Sequence, residues 1–108
     1  MNIEIESGDP RLAWELMNSS SLEPGQKHII SKGAELTYQH IYQKRGLDFP
    51  AIISLTLDIG EGVAIGVIVA WLYDKIKGKA SKLTIDRTEV HIDEGEIKKV
   101  ITEKIEKK

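Results

Sequence analysis

The sequence contains no cysteine, so neither a disulfide framework nor a thiolate metal site can form. That absence fits a reducing compartment, and a cytoplasmic location is the expectation. Lysine and arginine are missing from residues 1–9, where Glu4, Glu6 and Asp9 stand instead, the reverse of the basic start and apolar centre of an export signal. No strong charge of one sign is present either. A net charge of -2 argues against a surface that is all nucleic-acid footprint, although a local basic patch is compatible with it.

Long uncharged runs are also lacking. Residues 52–73 are apolar enough to suggest a membrane span, but Asp58 and Glu61 interrupt them, leaving 12 uncharged residues from 62 to 73. A crossing helix needs about 20, and an acid at mid-span costs roughly 2.5–3.5 kcal/mol on insertion scales, so no membrane partner is expected. No Gly-Lys-Ser/Thr ending follows Asp58-Ile-Gly-Glu-Gly62, which excludes a P-loop. The acids Asp58 and Glu61 are expected to cap the following helix themselves and repel a phosphate there. His28, His40 and His91 lie in three separate segments with no second histidine three or four residues away, so no metal site is expected. No catalytic set can be assembled, and neither enzymatic activity nor a cofactor is expected.

What remains is a chain of 108 residues, 41% hydrophobic and 30% charged, which suits one folded domain with one core. Ile3 and Ile5 alternate with Glu4 and Glu6 as in a half-buried strand. Asp9 before Pro10 marks the start of a short helix carrying Leu12, Ala13, Leu16 and Met17. A Ser/Pro/Gly-rich loop over 18–26 precedes a strand at 27–31. Residues 34–45 fit both a helical face and strand alternation, and their length favours a helix. In 49–57 the β-branched Ile52, Ile53 and Thr56 suit a buried strand, whereas Asp48 and Pro50 suit a helix start.

The pattern of 60–77 predicts a long, central, buried helix that ends at Gly78. Gly62, Gly66 and Ala70 recur there every four residues, as in a close packing face or a helix–helix dimer seam. Lys75, Lys77, Lys79 and Lys82 follow without an intervening acid, and with Arg87 they form the candidate contact for an anion or nucleic acid. Lysines at a helix end also complement its dipole, and that ordinary role competes with the contact. Trp14 and Trp71 are expected at core edges, next to aliphatic residues at helical spacing. Residues 82–93 predict a hairpin, with Ile85 opposite Val90 across a turn over 86–89. Asp93 as N-cap, Glu96 three residues on and Ile92 against Ile97 mark the last helix, with Ile97, Val100, Ile101 and Ile105 as its apolar stripe.

The fold class expected is α+β: a small single domain with a short mixed sheet, a C-terminal hairpin, one long buried helix and a C-terminal amphipathic helix. This order resembles the effector-associated constant components, small adaptor domains of prokaryotic conflict and signalling systems. The likeness is carried by the first strand and helix, by the small-residue helix ending in Ala70-Trp71-Leu72 with its basic exit, and by Val90 to Asp93 before the terminal helix; residues 27–48 match poorly. The resemblance implies association with partner proteins rather than catalysis, and a helix over 49–57. The leading expectation is therefore a protein–protein interaction or adaptor module, including a homo-oligomer. The alternative is a nucleic-acid-binding domain using the basic segment.

Overall fold

Ile3, Ile5 and Ser7 are fully buried while Glu4 and Glu6 stay partly open, so the first strand has one face in the core and one in water. The computed structural model describes residues 1–9, 11–42 and 50–107. Its elements are β1 (Asn2–Ser7), α1 (Leu12–Met17), β2 (Lys27–Ser31), β3 (Ala34–Tyr42), β4 (Ala51–Ile59), α2 (Ile65–Ile76), β5 (Ala80–Ile85), β6 (Thr88–Val90) and α3 (Glu94–Glu106). The six strands form one sheet in the order β2-β3-β4-β1-β5-β6. The α+β class stands, but every pairing is antiparallel, so the sheet is not mixed.

The core lies on one side of this sheet. Ile3 is flanked by Leu55 and Ile85, and Ile5 by Ile53 and Leu83. Leu12 and Leu16 of α1, Ile68, Leu72 and Ile76 of α2, and Ile97 and Ile101 of α3 join them in one cluster. Each such burial is worth about 1.5–3 kcal/mol. The opposite face, with Glu4, Glu6, Thr84 and their neighbours, is left to solvent, an arrangement antiparallel sheets tolerate.

Five further expectations are corrected. Residues 34–42 are a strand, not a helix; 43–45 lie outside the described residues. Ala34, Leu36 and Tyr38 face the core, the register shifts between Tyr38 and His40, and Ile41 then faces the core opposite Ile53. A β-bulge adds one residue and flips the alternation, so the apolar spacing imitates a helical face. Residues 51–57 are likewise strand, within β4, and the helix implied by the resemblance does not form. Its core face carries Ala51, Ile53, Leu55 and Leu57, and β-branching outweighs the Asp-Pro signal.

The long helix begins at Ile65 rather than near residue 60. Gly60 donates its backbone N–H to Gly33 O at 2.7 Å, and Gly62 has a φ of 79°, neither of which a helix accommodates. Nor is α2 buried all round: Ile68, Val69, Leu72 and Ile76 are covered, but Val67 is 57% exposed.

The hairpin forms with Leu83 opposite Val90 and Ile85 opposite Thr88, two residues out of the expected register. Its turn residues are Asp86 and Arg87, both left-handed, with φ of 45° and 69°, as a two-residue primed turn requires. Asp86 Oδ1 accepts the Asn2 N–H at 2.7 Å, a bond that helps hold the aspartate in this conformation. The last helix starts as expected: Asp93 Oδ2 accepts the Glu96 N–H at 3.1 Å.

Arg87 has no such compensation, so Arg87→Gly should stabilise the protein by about 1 kcal/mol, seen as a higher urea midpoint with an unchanged slope. A lower midpoint would overturn the assignment of backbone strain to Arg87.

Candidate functional site

The edge strand β2 carries the most exposed large hydrophobic side chain among the described residues, Ile29. Among the described residues, β2 pairs only with β3. Gln26 O accepts the Tyr38 N–H at 2.8 Å, and antiparallel alternation from that pair turns the N–H and C=O groups of Lys27 and Ile29 outward. Pairing is regular through Lys27, His28 and Ile29 and shifts before Ser31. Ile29, 68% exposed, sits on the solvent face. It lies opposite Glu35, which lies opposite Asp58 on β4.

Lys27 Nζ donates to Glu35 Oε1 at 3.1 Å. Ile29, Glu35 and Asp58 line an open groove of about 380 Å³ that ends at Gly33 and Gly60. Two carboxylates directly across adjacent strands oppose each other by roughly 0.2–1 kcal/mol, and the lysine offsets only part of that.

On the helix side of the same edge, the His28 ring lies against Trp71 of α2 with centroids 5.9 Å apart. Val63, before α2, packs on Gly33 so closely that a Cβ at residue 33 would come within 2.7 Å of its Cγ2. Gly33 also has a φ of 89°, so both conformation and space require glycine there. The line from Val63 to Trp71 is thus fixed at both ends along β2. Val67, one turn before Trp71, stands exposed between them.

The residues singled out by sequence lie elsewhere. Gly62 is in the turn before α2 with open space around it, so it belongs to no helical stripe. Gly66 and Ala70 are on α2 but exposed, and they face away from the sheet. The nearest group to a Cβ at Gly66 would be Lys98 Nζ at 3.9 Å, so no close approach within the chain requires the glycine.

The basic segment is spread over several sides. Lys75 Nζ lies 6.0 Å from the Trp71 ring. Lys77 pairs with Asp74 at 3.2 Å, Lys79 with Glu15 at 2.5 Å and Lys82 with Glu89 at 3.3 Å. Arg87 is at the hairpin tip. Asp58 stands in β4 rather than at a helix entry, and α2 begins from Ala64 with no side-chain cap. Trp14 is 47% exposed, so it does not anchor the core.

His40 meets Tyr42 edge-on at 4.3 Å on the solvent face of β3, whereas His28 lies on the other face of β2 beside Trp71 and His91 follows β6 at the far edge. Among the described residues, no three His, Asp or Glu side chains converge as metal ligands, and no helix is long and apolar enough to cross a membrane.

Sequence reasoning located β2 but missed that it is an edge. Edge status depends on which strands pair, and β3 had been read as helix. Compared with known protein families, curated proteins and solved structures, the chain matches none.

Replacing Asp58 with Lys should relieve the opposed carboxylates and raise stability by about 0.5 kcal/mol in low salt, less in high salt. An unchanged midpoint at low ionic strength would mean that the two carboxylates do not repel.

Proposed function

We propose that this domain works by associating with protein, through the edge formed by β2 and the outer line of α2. The observation that carries the reading is Ile29, 68% exposed on the solvent face of an edge strand, with Val67, 57% exposed, one helical turn before the Trp71 that packs on His28 on the other face. An unpaired strand offers backbone donors and acceptors, and the side chains beside it supply selectivity. Exposed apolar residues at such an edge favour self-pairing and aggregation unless a partner covers them. An adaptor role, as the family resemblance implies, agrees with this surface.

A photo-crosslinking amino acid at position 29, compared with one at Thr84 on the same face, tests the proposal in the native host. The expected result is a discrete protein adduct at position 29 and none at 84. Equal, diffuse labelling at both positions, or no adduct at 29, would remove the reading.

A further inference from the structure

We infer that the partner at this edge is a second copy of the chain, joined by two-fold antiparallel pairing of β2 with β2 centred on His28. The inference rests on the association reading above. It follows from three features that a single symmetry operation satisfies together.

The first is backbone direction. Lys27 and Ile29 turn their N–H and C=O groups to the free side, and the regular stretch before the bulge is centred on His28. A two-fold axis there sets Lys27 of each copy opposite Ile29 of the other, so that each pair exchanges two backbone bonds. The bulge before Ser31 limits the pairing to this segment.

The second is charge. In that register, Asp58, Glu35 and Ile29 of one copy and Lys27 of the other lie in one row across the sheet. Strands are about 4.8 Å apart, so the incoming lysine backbone is roughly 10 Å from that of Glu35, within the combined reach of the two side chains. Its aliphatic stem covers the exposed Ile29, and its ammonium exchanges its own Glu35 for the Glu35 and Asp58 carboxylates of the other copy, a swap that the axis makes reciprocal.

The third is the helix side. The axis brings the two His28–Trp71 pairs next to each other and gives Val67 an apolar neighbour instead of water. A lone peptide strand would place side chains on both faces but bring no helix to the Val67 and Trp71 side, which is why a second copy is favoured over a peptide.

The chain lacks cysteine, so a single introduced cysteine reports the register without background. His28→Cys places two thiols at the axis in a non-hydrogen-bonded pair, whose Cα spacing of about 4.5 Å falls within the disulfide range. Thr88→Cys, on the opposite edge strand β6, is the control. Sedimentation velocity of the unmodified chain should give twice 12.1 kDa at micromolar concentration. Ile29→Lys should weaken the dimer at least tenfold, with circular dichroism and the urea midpoint confirming a folded protein. Mild oxidation should link His28→Cys rapidly and Thr88→Cys hardly at all.

A chain that stays monomeric to several hundred micromolar overturns the inference. So does a dimer indifferent to Ile29→Lys, or linkage through residue 88 instead of 28. If the chain is monomeric but position 29 crosslinks to a different protein, self-pairing fails and the association reading survives. Monomer with no adduct defeats both.

Discussion

The fold depends on how β1 is held. The first strand of the chain lies between β4 and β5, and Ile3 and Ile5, with no exposed surface, bridge the side chains of both neighbours. Removing that strand would separate β2-β3-β4 from β5-β6, leaving two small sheets with half a core each. Because its partners are distant in sequence, loop closure must be largely complete before β1 gains its contacts. Met1 and Asn2 reinforce both joins: the terminal ammonium donates to Leu57 O at 2.8 Å and the Asn2 N–H to Asp86 Oδ1 at 2.7 Å.

Local signals in the sequence were read correctly where one element decides its own structure. The Asp93 cap and the strict alternation around Ile3 and Ile5 belong to this kind. Signals failed where tertiary context decides. The bulge after Tyr38 converts an alternating pattern into one that matches a helix, and nothing within 34–42 distinguishes them. Gly62 and Val63 continue the spacing of the helix that follows, but the Gly33 carbonyl takes the Gly60 N–H and Gly62 has a φ of 79°, so the chain turns before the helix begins. The hairpin was displaced because Arg87 adopts a conformation that its residue type disfavours, fixed by pairing on either side. Little of the candidate site was legible, since its parts come from β2, β3, β4 and α2 and acquire meaning only from strand order.

The same strand order explains why two residues with unremarkable neighbours in sequence become conspicuous. Ile29 lies between His28 and Ile30, and Val67 is in the first turn of the apolar helix α2. Neither spacing nor composition marks them for exposure. α2 turns its buried stripe of Ile68, Leu72 and Ile76 to the sheet, which forces Val67 outward. β2 turns His28 toward Trp71, which forces Ile29 to the other face. Their exposure follows from satisfying the core, and it leaves an apolar rim on both sides of one strand.

The two edges of the sheet are treated differently, and the difference bears on what association can do. β6 has only three residues and contacts α3 directly, so that edge is short and partly shielded. β2 has five, but a bulge disrupts its far end and Lys27 stands near its start, two devices that discourage indefinite strand addition. Pairing of β2 on one copy with β6 on the next would be head to tail and could propagate into a fibre, whereas pairing of β2 with itself closes after two copies. A short β6 disfavours the first. The regular stretch from Lys27 to Ile29 is long enough for the second, and in that arrangement Lys27 of each copy meets the carboxylates of Glu35 and Asp58 on the other.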